Sequence, residues 1–245
     1  METKQRNVHG RSFLLGILGI SLFFFIAWGF CEYGTGYNPY LDDIQNLYVR
    51  QSSSAGYLAD QMIAGIFLPV FLCSLVYIKK EYTVYYIVRC ESRDRIWCSE
   101  SLGIVFWAFI YSFLYVLVDQ ILLFTRVSPK TIWESKILIY LSKYGLILFL
   151  FFIMVGIAFQ CIKCVVKKVW YSVGITILLM LSVYFAARAD VVKIWTPFEC
   201  LHFIDKEVYQ LHSSVSALFD YGLILCFDVL LFWIGCCLHH KREYL

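Results

Sequence analysis

Hydrophobic residues in this chain fall into long, nearly unbroken runs separated by shorter polar stretches. Six runs match the roughly 17–25 residues that a helix needs to cross the ~30 Å hydrocarbon core of a bilayer. They are Phe13–Phe30, Gln61–Ile78, Leu102–Phe124, Tyr144–Cys161, Val169–Ala187 and Tyr221–Leu238. Backbone N–H and C=O groups find no water in hydrocarbon, so each run must satisfy its own as a helix. The pattern predicts an all-α polytopic membrane protein of about six transmembrane helices in one bundle, a single domain over residues 1–245. Basic residues precede the first run, as in a signal peptide. Gly29-Phe30-Cys31-Glu32 has no small-x-small cleavage pattern, however, so a retained helix is expected.

Composition agrees. The 245 residues are 60% hydrophobic, 19% aromatic and 16% charged, with mean hydropathy +0.69. Soluble domains carry about 25% charged residues. Lys and Arg set the orientation. An even number of spans puts both ends on one side, with Lys4, Arg6, Arg11, Lys79, Lys80, Arg89, Arg93, Arg95, Lys163, Lys167, Lys168, Lys241 and Arg242, 13 of 21 basic residues. The other side is acidic, with Glu32, Asp42, Asp43, Asp60, Asp190, Glu199, Asp205 and Glu207. Both termini are therefore expected in the cytoplasm. One connection dissents, placing Arg126, Lys130, Lys136 and Lys143 on the outer side.

Polar residues inside the runs are few. Asp228 sits near the middle of the sixth, where an aspartate costs about 2.5–3.5 kcal/mol on insertion scales, so it should face protein. Tyr221 and Gly235 lie seven residues to either side and share its helical face. Tyr111, Tyr115 and Asp119 share a face of the third run. Gly145, Phe149, Phe152, Gly156 and Gln160 share one of the fourth. Interhelical hydrogen bonds and small-residue packing are the simpler reading of all three stripes, and a substrate pathway is the alternative. The segment from Arg188 to Phe219 mixes Trp195, Phe198, Leu201 and Phe203 with charges, which suits short interfacial or partly re-entrant helices as well as an ordinary loop.

Catalytic and metal signatures are missing. There is no GxxxxGK[ST] phosphate loop, no HExxH and no GxSxG, so an enzyme is disfavoured and no cofactor or metal is expected. Cys161 and Cys164 have CxxC spacing without a second pair or a histidine, and His202 and His212 read as isolated surface histidines. Cys31 and Cys200, both on the outer side, are a conceivable disulfide pair. Nothing suggests nucleic acid as a partner.

The densest polar feature is the connection between the second and third runs, Lys79-Lys80-Glu81 through EYTVYYIVRCESRDRIW. Its tyrosines suit a membrane boundary, and its mixed signs (Arg89, Glu91, Arg93, Asp94, Arg95) fit a charged protein partner better than a uniform lipid clamp. The aromatic run followed by Arg89, Ser92-Arg93 and Trp97, leading into a span, resembles the small bacterial ABC-2-type (type V exporter-like) permeases of bacteriocin and lantibiotic export or self-protection. The resemblance implies a coupling helix seated on a separate ABC ATPase, at Arg89, Glu91, Ser92, Arg93, Asp94, Arg95 and Trp97, with a lesser contact at 163–168. It also implies a second permease copy, the same or different, in the bacterial cytoplasmic membrane, with ATP bound by the partner subunit. The chain departs from many relatives in having little room for an amphipathic helix before the first span. Three rivals remain: a vitamin-capturing subunit of an energy-coupling transporter, a non-transporting peptide-immunity protein, and an unrecognised membrane enzyme.

Overall fold

The computed structural model of the chain describes residues 2–34, 42–52, 56–78, 93–166, 168–189, 195–202 and 214–240. All regular structure among them is helical. The helices are α1 (Glu2–Gly34), α2 (Asp43–Ser52), α3 (Asp60–Ile78), α4 (Arg93–Arg126), α5 (Pro129–Glu134), α6 (Ile137–Val166), α7 (Val169–Arg188) and α8 (Ser214–His240), with a 3-10 turn at Pro197–His202. Six of them, α1, α3, α4, α6, α7 and α8, are long and apolar enough to cross a membrane. The chain is a multi-pass helical bundle, and each hydrophobic run read from the sequence lies within one of these helices.

Local chemistry explains the irregular points. Pro69 lacks an N–H, and its ring crowds the carbonyl four residues back. The turn before it, Ile63–Phe67, widens into a π-helix, which relieves that crowding. Tyr111 of α4 donates to the Phe67 carbonyl at 2.7 Å. α5 begins with Pro129 in its first turn behind Ser128, whose Oγ accepts from the Thr131 amide at 3.3 Å. Residues 2–12 form the first turns of α1 itself, so the segment ahead of the span is continuous with it.

The centre of the bundle is α6. Every residue from Phe151 to Cys161 is buried, as expected of a helix that is apolar all round. It packs against α4, α7 and α8. Small residues let helices approach closely: a β-carbon at Gly156 would overlap the Ile104 side chain of α4. Aromatic edges fill the space between α1, α3 and α4, with the Phe24 ring 5.0 Å from Tyr111 and 5.4 Å from Tyr115. Elsewhere α1, α7 and α8 turn large apolar side chains outward, among them Leu18, Phe30, Leu178, Leu230 and Trp233. In a bilayer that surface faces lipid or other protein.

Six crossings put the start of α1 and the end of α8 at one end of the bundle, here called the terminal end. The far end carries the α4–α5–α6 connection and the 3-10 turn. Of the 188–219 segment, the 3-10 turn is seated in the bundle, with its Phe198, Cys200 and Leu201 buried. The Phe198 ring lies 5.2 Å from Phe151 and 5.4 Å from Tyr184. Cys31 and Cys200 are both buried, and the conceivable disulfide between them is not formed. Residues 203–213, with His212, lie outside the described residues.

Candidate functional site

The terminal end brings together two stretches that the sequence singled out for separate reasons. The first turn of α4 holds Arg93, Asp94, Arg95 and Trp97, and the last turns of α8 hold Gly235, His239 and His240. Trp97 is fully buried. Its ring stands 5.9 Å from Phe232 and edge-on to His239 at 5.6 Å. Gly235 makes this possible, because a β-carbon there would overlap the Trp97 ring and come within 2.8 Å of Cys161 Sγ. At the rim, His240 Nδ1 lies 3.1 Å from Asp94 Oδ1, and Cys236 Sγ contacts the same oxygen at 3.8 Å. One turn deeper, Gln160 of α6 donates to Glu100 of α4 at 2.7 Å. The α4 entrance is therefore clasped onto α8 and α6, while Asp94 and Arg95 stay exposed. Arg89, Glu91 and Ser92 lie outside the described residues, and of Arg93 only the helical backbone is described.

The stripe on α8 faces α6. The Tyr221 hydroxyl donates to the Lys143 carbonyl at 3.1 Å, and the Cys161 thiol lies 3.5 Å from the Leu231 carbonyl. Asp228 lies between these anchors, 6% exposed, and neither carboxylate oxygen has a hydrogen-bond partner among the described residues. An unpaired carboxylate in such a place is costly, which sets Asp228 apart from every other acid described in the bundle.

At the far end, Tyr111, Tyr115 and Asp119 do share one face, and each bonds to a different neighbour. Tyr111 reaches the π turn of α3. Tyr115 donates to the Tyr57 carbonyl, and Tyr57 returns a bond to the Tyr115 carbonyl at 3.3 Å. Asp119 Oδ1 accepts from Trp28 Nε1 of α1 at 2.9 Å. Tyr144 of α6 donates to the Leu58 carbonyl at 3.0 Å. The turn 56–59 is thus a buried plug held by tyrosines of α4 and α6. Burial, and next the nearby Asp119, push the Tyr57 phenol well above its ordinary range, which keeps its proton available for the bond.

A second far-end cluster escapes the sequence altogether. Asp60, at the head of α3, lies 3.3 Å from His202 Nε2 of the 3-10 turn and 3.6 Å from Arg188 at the end of α7. The Gln61 amide donates to its other oxygen at 2.8 Å, and Arg188 also reaches the Tyr184 hydroxyl at 3.4 Å. His202 is therefore not the isolated surface histidine expected. No spacing rule links residues so far apart in the chain, so only the fold reveals the pair. No group of three or more His, Cys, Asp or Glu among the described residues is arranged to hold a metal. No protein-family model, curated protein or solved structure matches the chain.

Proposed function

We propose that the chain is the membrane-spanning permease subunit of a bacterial ABC transporter. It pairs with a second permease copy and with a separate ATPase that binds and hydrolyses ATP, and both its ends lie in the cytoplasm. The observation that carries this reading is the clasp at the terminal end. A charged, exposed turn (Asp94, Arg95) sits directly above a fully buried Trp97 seated on Gly235. A surface that only needed solubility has no use for a rigid aromatic anchor beneath it. A surface that receives a push does.

In this reading Arg93, Asp94 and Arg95, with Arg89, Glu91 and Ser92 before them, meet the ATPase. Trp97 passes the displacement to α8 through Gly235. A close-packed contact of this kind passes on displacement without deforming, so the two helix ends move together while the bundle shifts between discrete arrangements. Asp228, two turns along α8 from Gly235, is the polar group that such a shift would uncover. An amphipathic peptide or a lipid-like molecule suits the aromatic-rich bundle as cargo.

The test is reversal of Arg93 and Arg95 to Glu. Electrostatic complementarity predicts loss of ATPase co-purification and of transport, with the purified bundle still folded. Unchanged co-purification and transport would rule the reading out.

A further inference from the structure

Asp228 stands roughly 15 Å along α8 from Leu218 and roughly 18 Å from His240, the ends of the apolar stretch. That places it near the middle of the ~30 Å hydrocarbon core. The seam around it is closed on both sides. Two turns before it, the Tyr221 hydroxyl donates to the Lys143 carbonyl of α6. Two turns after it, Gly235 is pressed against Trp97 of α4 and Cys161 of α6. Between these contacts Asp228 is 6% exposed, and both of its carboxyl oxygens are buried without a hydrogen-bond partner among the described residues.

An ionised carboxylate at that depth needs a cation, and the elements packed on α8 bring none to it. They are α6, α4 and the 3-10 turn. Between Tyr144 and Ile162, α6 has no Lys, Arg, His, Asp or Glu. Its ionisable groups there are Tyr144, which donates to the Leu58 carbonyl, and Cys161, whose thiol meets the Leu231 carbonyl. Between Ile96 and Thr125, α4 has no cation either, and its two acids are engaged, Glu100 by Gln160 and Asp119 by Trp28. Tyr111 and Tyr115 of α4 donate to carbonyls, and Cys98 is exposed. The turn offers Glu199, Cys200 and His202, the last of them beside Asp60. On α8 itself the neighbours in sequence are Asp220 and Cys226, and His239 lies roughly 16 Å further on, against Trp97. A carboxyl so placed is buried most cheaply in its neutral form.

We propose that Asp228 is a proton-binding site. While the seam between α6 and α8 is closed, its carboxyl carries a proton and no charge. When the seam parts and water reaches it, the carboxyl O–H bond breaks and the proton passes to a water molecule as hydronium. The carboxylate stays behind, and closure reverses the transfer. Because the closed seam holds one more proton than the open one, acid favours closure and base favours opening. The site needs no ATPase, so it stands or falls separately from the permease reading.

The test places the full chain in phosphatidylcholine vesicles and reads the C=O stretch of a protonated carboxyl by infrared spectroscopy at neutral pH. The wild-type protein should show this band, and Asp228→Asn should lose the intensity of one acid. Asp228→Leu, which leaves no polar group to be satisfied, should lose the same amount. Absence of the band from the wild type, or its survival undiminished in both variants, would overturn the site. A carboxylate band that responds to sodium instead would put a metal cation there and overturn it too. A second measurement follows the seam through Cys161, kept as the only cysteine and labelled with a maleimide. Labelling of the same thiol in Asp228→Asn corrects for the thiol's own response to pH. The ratio of labelling rates, aspartate protein over Asp228→Asn, should rise with pH by up to about tenfold per pH unit for one proton. A ratio that stays flat would show that opening releases no proton from Asp228, and the proposal would fall.

Discussion

The Trp97 indole rests on the bare backbone of Gly235, joining the first turn of α4 to the last turns of α8. Neither residue explains itself alone. A tryptophan at the end of a span usually reads as an interfacial anchor, and a glycine in a helix as a small packing residue. Together they make a lock in which the ring occupies the volume that any side chain at 235 would need.

The lock fixes a first expectation. Gly235→Ala forces the ring or Cys161 to move, and overpacking of this kind costs typically about 1–3 kcal/mol. Thermal unfolding of the purified protein should show a lower midpoint for Gly235→Ala. Combining it with Trp97→Leu should recover part of the loss, because the two residues compete for one space. Strict additivity of the two changes would mean that the ring does not sit on Gly235.

Asp228 gives the opposite sign. Its two oxygens are buried without a partner among the described residues, so replacing it with the similarly sized Leu removes a desolvation cost of about 1–3 kcal/mol. Asp228→Leu should therefore raise the unfolding midpoint while reducing transport. Such a split between stability and activity marks a group kept for function. A lower midpoint with normal transport would place Asp228 among structural residues.

The far-end cluster can be read through a thiol. Cys200 is fully buried in the 3-10 turn that also carries His202, the partner of Asp60. A hydrogen bond to a charged group is worth about 1.5–3 kcal/mol, and each ~1.4 kcal/mol is tenfold in an equilibrium. In a background where Cys200 is the only cysteine, Asp60→Ala should speed maleimide labelling roughly tenfold or more, as the 3-10 turn opens more often. Unchanged labelling would show that Asp60 does not hold that turn.

Trp28 and Asp119 offer a check on the helix interior. Trp28→Phe keeps a smaller aromatic ring in place but removes the Nε1 donor that Asp119 accepts from at 2.9 Å. A loss of about 1–3 kcal/mol is expected from the weakened buried carboxylate, measured by denaturant or thermal unfolding. Trp28→Phe with Asp119→Leu should be less harmful than Trp28→Phe alone.

How much of this was readable beforehand depended on range. Hydropathy located all six membrane helices, because bilayer thickness imposes a length on every span whatever it packs against. Helical periodicity put Tyr111, Tyr115 and Asp119 on one face, and Tyr221, Asp228 and Gly235 on another, because i and i+4 neighbours are set by the backbone. What those faces touch was out of reach. Trp97 looked like part of a docking surface and is buried. His202 looked solitary and meets Asp60. The plug at 56–59 falls outside every hydrophobic run and is held by Tyr115 and Tyr144. Each of these depends on which helices become neighbours, and that is decided by packing of the whole bundle rather than by any local pattern. The mixed aromatic stretch after α7 was left open between short interfacial or re-entrant helices and an ordinary loop, and nothing in it said that Phe198 would pack against Phe151 and Tyr184.

The central claim is that movement at the α4 entrance is transmitted to α8 through the clasp. Cys236 Sγ lies 3.8 Å from Asp94 Oδ1, so Asp94→Cys, with Cys236 as the only other cysteine, places two thiols within reach of a disulfide. The most direct measurement is ATP-driven transport by this variant before and after oxidation, with the cross-link quantified. The account predicts that the bond forms readily and that the locked protein still transports, since the two helix ends move as one body. Failure of the thiols to join, or a locked protein that supports ATP hydrolysis without transport, would contradict it.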